Sequence, residues 1–199
     1  MTDDENRVAG LLLAAGGGRR LGGRPKALLP HRGRLLVEHA AEVLRAGGCA
    51  SVHVVLGARA EEVRARAALP DCVLVDNPDW EHGMGTSLRA GLDALAGTGV
   101  RAALVLLVDQ PGIGPRAVAR VRRAYASPRS LVSAAYDGVR GHPVLFGSGH
   151  WAGIAAAATG DRGARAYLEE HAEAVELVEC GDVAEAYDVD TEADLAHLE

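Results

Sequence analysis

Lysine occurs once in this chain, at Lys26; the other 20 of its 21 basic residues are arginines. It closes the run Gly16-Gly17-Gly18-Arg19-Arg20-Leu21-Gly22-Gly23-Arg24-Pro25-Lys26. Glycines let backbone amides come close to an anion. An ammonium on a flexible stem can follow a phosphate oxygen that shifts during a reaction, which a planar guanidinium fork does less well. An arginine-rich composition that left one lysine by chance would not place it at the end of a glycine loop. Lys26 is therefore read as a phosphate ligand.

Neither of the two common phosphate loops fits. The dinucleotide fingerprint needs glycines at i, i+2 and i+5, but Gly16 and Gly18 are followed by Leu21, and the second strand ends in Gly57-Ala58-Arg59 instead of an acid. The P-loop needs Gly-Lys-Ser/Thr, and Gly23 is followed by Arg24-Pro25. A long loop with several arginines and a lysine suits a whole triphosphate better than a bridging pyrophosphate.

The elements that must hold this loop follow from hydrophobic patterning. Strands are expected at Val8–Ala15, Ser51–Leu56, Cys72–Val75, Ala102–Val108, Leu131–Tyr136, His142–Phe146 and Ala174–Val178. Helices are expected at Leu35–Ala46, Ala60–Ala68, Gly85–Ala96, Pro115–Ala126, Ser148–Ala158, Ala164–His171 and Glu192–His197. Asp137-Gly138 reads as a hairpin turn. Strands too apolar to face water, alternating with amphipathic helices, imply a mostly parallel sheet between two helical layers. Ligands of such sheets lie beyond the carboxyl ends of the strands, so the loops after Ala15, Val75 and Val108 matter most. No linker or repeat divides residues 1–199, which read as one domain, with residues 1–7 expected as a flexible lead.

Bulk properties exclude some classes. At 48% hydrophobic and 24% charged residues the composition is that of an ordinary globular protein. A net charge of −6 argues against a nucleic-acid surface. No apolar run is long enough for a membrane span, and the acidic start MTDDENR lacks a signal-peptide core, so a cytoplasmic location is expected. Cys49, Cys72 and Cys180 are odd in number and widely spaced, which reads as buried thiols with no disulfide or zinc role.

Five segments, in order along the chain, carry a resemblance. LLLAAGGGRRLGGRPKALLP, NPDWEHGMGTSL, LVDQP, GHPVLF and YDVDTEADL together resemble the nucleotidyltransferases of the molybdenum cofactor type, and most closely the cytidylyltransferases among them. Guanylyltransferase relatives tend to have glycine where this chain has Ala15. Gly22-Gly23 departs from the pattern as a one-residue insertion before Pro25-Lys26.

The resemblance implies a three-layer α/β/α Rossmann-like fold. It also implies a Mg2+-dependent transfer of CMP from CTP (or of GMP from GTP) to a molybdopterin-type phosphate, with a molybdenum hydroxylase as possible client. Arg20, Lys26 and Asp109 are then the catalytic residues, with Asp109 and Asp190 on the metal. The nucleotide contacts would come from Leu13, Ala14, Ala15, Gly16, Gly17, Lys26, Asn77, Gly83, Ser87 and Asp109. His142 would meet the acceptor.

Each position has a plainer alternative. Asp109 suits a turn before Pro111, Asp190 or Thr191 suits a cap on the last helix, and Trp80 suits packing. His142 suits an ordinary surface turn. Asp188 is a less favoured substitute metal ligand. Gly160–Arg165 suits either contact with a pterin acceptor or a helix start capped by Asp161, the cap being preferred.

Overall fold

The structure is a computed structural model and describes residues 8–198; the flexible lead expected at residues 1–7 lies outside the described residues. Nine strands are described: β1 (Val8–Leu13), β2 (Pro30–His31), β3 (Arg34–Leu35), β4 (Val52–Leu56), β5 (Cys72–Asp76), β6 (Ala102–Leu107), β7 (Leu131–Tyr136), β8 (Val139–Gly147) and β9 (Val175–Glu179). The α-helices are α1 (Leu36–Ala46), α2 (Ala60–Arg66), α3 (Met84–Leu95), α4 (Pro115–Arg123), α5 (Trp151–Ala157) and α6 (Arg165–Glu170).

Seven strands form one sheet in the order β5-β4-β1-β6-β8-β7-β9. Six run in one direction; β8 alone is antiparallel to its neighbours β6 and β7. The reversal follows from the two-residue turn Asp137-Gly138, whose φ values of 52° and 77° give the tight hairpin expected there. It has a functional consequence. The first residues of β8, including His142, emerge at the same edge as the carboxyl ends of β1 and β6.

The sheet is covered on both faces. On β1, Val8 and Leu12 pack with α1, α2 and α4, while Ala9, Leu11 and Leu13 pack with α3, α5 and α6. Two glycines set the layer spacing. A Cβ at Gly91 in α3 would lie 2.5 Å from Leu11, and one at Gly10 in β1 would lie 3.0 Å from Leu44 of α1. With few aromatics available, close backbone approach fills the core that larger side chains would otherwise occupy.

Several expected elements come out differently. The edge strands β5 and β9 are only half buried, because an edge has a helical layer but no outer strand. Ser148–Ala158 divides into a 3-10 turn at Ser148–His150 and α5, and the closing Glu192–Leu198 segment is 3-10 instead of α. The β2–β3 hairpin has two residues per strand, too short for any hydrophobic period. Cys49 and Cys180 are buried and Cys72 is half-buried; all three are free thiols. Burial pushes the Cys49 thiol up to about 12, which keeps it unreactive. No helix among the described residues is long and apolar enough to cross a membrane.

Candidate active site

The loop after β1 is shaped by its glycines. Gly18 is left-handed at φ 63°, and a Cβ there would lie 1.8 Å from the Arg24 carbonyl oxygen, so only glycine fits. Gly22 and Gly23, at φ 65° and 77°, reverse the chain together, so the inserted glycine is part of the turn itself. The Gly18 carbonyl accepts from the amides of Leu21 at 2.9 Å and Gly23 at 3.0 Å, and fully buried Leu21 anchors the turn in the core. The amides of Gly16, Gly17 and Gly18 have no acceptor among the described residues, leaving three donors for an anion. Trp80 is a packing residue: a Cβ on Gly17 or Gly57 would lie 2.9 or 2.5 Å from it.

Lys26 follows on a short 3-10 turn, Lys26–Leu28, whose Ala27 and Leu28 are buried. Its ammonium donates to Asp109 Oδ2 at 2.5 Å and to Asp190 Oδ1. Arg20 reaches Asp190 Oδ2 at 3.4 Å. These partners are 83 and 164 residues from Lys26 in sequence, brought together because β1 and β6 are adjacent and the C-terminal segment crosses beyond them. The Val189 amide bonds to the Asp109 carbonyl at 2.9 Å, and Gln110 donates to Asp188 at 2.7 Å.

The capping alternative for Asp190 and Thr191 is resolved by a different residue. Asp194 accepts from the amides of Asp190 (3.0 Å) and Thr191 (2.7 Å) and from the Thr191 hydroxyl (2.8 Å). The Asp190 carboxylate is thereby left to face Lys26. Burial lowers the affinity of Lys26 for its proton, but Asp109 and Asp190 more than offset this and hold its pKa above the ordinary lysine value. Burial also raises Asp109, against the pull of Lys26. Asp109 Oδ1 is buried with no hydrogen-bond partner among the described residues.

Beside this cluster opens a cleft of about 530 Å3. Leu13, Val105, Leu107 and Phe146 contribute apolar walls, while Arg140, Arg162 and Arg165 bring positive charge and Asp161 and Asp188 negative. Asp161 is not a helix cap, since neither the 3-10 turn at Gly160–Arg162 nor α6 has a side-chain cap. The structure places it on the cleft, as it does His142. The Tyr136 hydroxyl donates to the His142 carbonyl at 2.7 Å, fixing the backbone there.

Burial pushes the His142 imidazole down from 6.5 to about 4, with Asp188 pulling weakly the other way. A histidine whose pKa is depressed on folding costs the fold stability progressively as pH falls through the window where the unfolded chain binds the proton and the folded chain does not. Stability is therefore expected to fall as pH drops from about 6.5 towards 4. Melting temperatures from pH 7 to pH 4 should show this loss in the wild type, and a smaller one in His142→Asn.

Asn77 and Ser87, expected as nucleotide contacts, are buried and bonded to each other. Asn77 Nδ2 donates to Thr86 Oγ1 at 2.8 Å and to Ser87 Oγ at 2.9 Å, and its Oδ1 accepts from the Asp79 amide at 3.0 Å. They knot the loop after β5 onto the first turn of α3. Gly83, at φ 103°, lets that loop pass Gly160, 2.4 Å from where a Cβ would stand. The Ala14 amide bonds to Val55 and the Ala15 carbonyl accepts from Ala58, tying both to β4 and its following loop. Gly16 is exposed and open. Arg140 lies outside the resembling segments, and the pairing of Gln110 with Asp188 could not be read from LVDQP and YDVDTEADL, which carry them. Arg162 and Arg165 lie in Gly160–Arg165, the stretch that also suits an acceptor contact.

Comparison with known proteins identifies the family and the fold. Residues 10–175 match the MobA-like NTP transferase domain. The chain is 47% identical over 191 residues to nicotine blue oxidoreductase of Paenarthrobacter nicotinovorans, covering 92% of each. It is 38% identical over 120 residues to a molybdenum cofactor guanylyltransferase of Rhodobacter capsulatus, 59% of each. The crystal structure of an Rv0371c homologue from Mycobacterium sp. strain JC1 superposes with a TM-score of 0.82 at 29% identity, covering 97% of each chain. Rv0371c of Mycobacterium tuberculosis in complex with manganese gives 0.77 at 27%, covering 96% of this chain and 97% of that one. The glycine loop, its lysine and the mostly parallel sheet that carries them thus place this chain in the MobA-like NTP transferase domain family, a family of nucleotidyltransferases.

Proposed function

We propose that the protein transfers CMP from CTP to the phosphate of a molybdopterin-type acceptor, releasing pyrophosphate. The observation that carries this reading is the single ammonium held between two carboxylates, with the free amides of Gly16–Gly18 on one side and an arginine-bearing cleft on the other. An acceptor phosphate oxygen attacks the α-phosphorus. The α–β bridging bond breaks, and its electron pair leaves on pyrophosphate. The nucleophile is already an anion, so the protein's task is alignment and charge stabilisation. Gly16, Gly17 and Gly18 donate amides to the phosphates, while Arg20 and Lys26 balance charge on the departing pyrophosphate. Asn77 and Ser87 support the pocket from beneath by holding the loop after β5.

Asp109 and Asp190 fit a magnesium ion by their donor set. They are two carboxylates, one with a buried oxygen that no protein donor satisfies, and magnesium characteristically takes one or two carboxylates together with substrate phosphates. When bound, the ion would neutralise phosphate charge. The manganese complex of Rv0371c supports a divalent cation in this fold.

Ala15, standing where guanylyltransferase relatives tend to have glycine, supports cytosine over guanine, and the free thiols are compatible with a cytoplasmic location. Calorimetric titration with CTP and GTP in the presence of Mg2+ tests the base: tighter binding of GTP assigns the nucleotide to guanine instead. Pyrophosphate release with acceptor present tests the reaction.

A second reading rests on the 47% identity to nicotine blue oxidoreductase. There the glycine loop would hold the phosphates of a nucleotide hydride donor, and the apolar walls of the cleft an aromatic substrate. Oxidation of a reduced nicotinamide dinucleotide without pyrophosphate release would favour it.

A further inference from the structure

Asp109 and Asp190 present four carboxylate oxygens, and protein cations engage three of them. Lys26 engages Oδ2 of Asp109 and Oδ1 of Asp190, Arg20 engages Oδ2 of Asp190, and Asp109 Oδ1 is buried. We propose that Lys26 is a mobile counter-ion that keeps the metal carboxylates occupied until nucleotide phosphates draw it away, so that metal and nucleotide load together. The inference rests on the nucleotidyl-transfer reading and adds an order of events to it.

Charge balance is the physical reason. The two carboxylates, the ammonium and the Arg20 guanidinium sum to zero. A dication arriving alone must break the Lys26 contacts and leave a partly buried ammonium without a partner. A triphosphate arriving alone offers Lys26 and Arg20 new anions but strands two carboxylates. Arriving together, the dication takes the carboxylates while the phosphates take the two cations, and none of the four protein charges is stranded. Binding of each ligand then strengthens the other by the same factor.

The surrounding structure confines the motion of Lys26 to its side chain. The Leu28 amide bonds to Pro25 at 3.0 Å and the Leu29 amide to Lys26 at 3.1 Å, so the backbone under the lysine is fixed. Arg24 bonds to the Leu21 carbonyl at 3.0 Å and to Glu192 at 3.1 Å, which straps the loop to the C-terminal segment independently of Lys26. The four-carbon stem is the free part, and the ammonium has no fixed fork geometry to satisfy.

The test measures Mn2+ binding to the full chain by electron paramagnetic resonance of free Mn2+. It is run with and without a CTP analogue carrying a methylene bridge between its α- and β-phosphates. In the wild type the analogue should tighten Mn2+ binding by about tenfold or more. Lys26→Met should bind Mn2+ without nucleotide about tenfold or more tightly than the wild type does, with little further gain from the analogue. Equal Mn2+ affinity of the two proteins without nucleotide overturns the proposal.

If the variant does not fold, the wild type itself decides. Labelled lysine yields one side-chain resonance, because Lys26 is the only lysine. That resonance should shift with Mg2+ plus analogue and stay in place with the same Mg2+ concentration alone. An equal shift in both cases overturns the exchange. A wild type that binds neither Mn2+ nor the analogue overturns the nucleotidyl-transfer reading, and the proposal with it.

Discussion

Asp109→Asn is expected to lower pyrophosphate release at least ~100-fold, the scale of losing one charge contact to the transition state. Asparagine keeps the volume and removes one negative charge from a carboxylate whose Oδ1 is already buried without a donor. Burial holds the Asp109 pKa above the ordinary aspartate value, so the fold gains little from the charge itself. The melting temperature should therefore stay close to that of the wild type while turnover collapses. Activity measured with saturating CTP and acceptor checks this, and unchanged turnover would remove Asp109 from the reaction.

Lys26→Met should also cost ~100-fold or more, with the loss mainly in kcat if the ammonium acts on the departing pyrophosphate, because that charge develops only as the bond breaks. Its effect on stability should differ from that of Asp109→Asn. The methionine leaves the Asp109 and Asp190 carboxylates facing each other with only the exposed Arg20 guanidinium, 3.4 Å from Asp190, as counter-charge. Losing one partner of a fully buried pair costs about 3–5 kcal/mol. Here the side chains of Asp109 and Asp190 are 18% and 39% exposed, so water screens the pair and a loss of about 2 kcal/mol is expected. Chemical denaturation of both variants separates the cases. Asp109→Asn should be inactive and stable, and Lys26→Met inactive and destabilised. A loss confined to KM in Lys26→Met would instead make the lysine a binding group alone.

Much of this protein was legible in its order of residues. The apolar runs of β1, β4, β6 and β7 and the periodic faces of α1 and α3 appear within a residue or two of where patterning puts them. Local turn chemistry marked Asp137-Gly138 and the glycine loop. These features depend on neighbours a few positions apart, which a linear reading contains. The five segments also pointed to the family that residues 10–175 match.

What tertiary structure decided lies at longer range. The carboxylates that meet Lys26 are 83 and 164 residues away, and only the adjacency of β1 and β6 with the crossing C-terminal segment makes them neighbours. The reversal of β8 brings His142 to the cleft, and the folding-over of Gly160–Arg165 brings arginines there too. Asn77, which read as a nucleotide contact, is occupied by Thr86, Ser87 and Asp79. Asp194 takes the capping role that leaves Asp190 free. Backbone propensity is a local property, whereas the partner of a charged side chain depends on strand order and loop crossings. For that reason residue order alone disclosed the lysine and its loop, and the folded chain disclosed what the lysine holds.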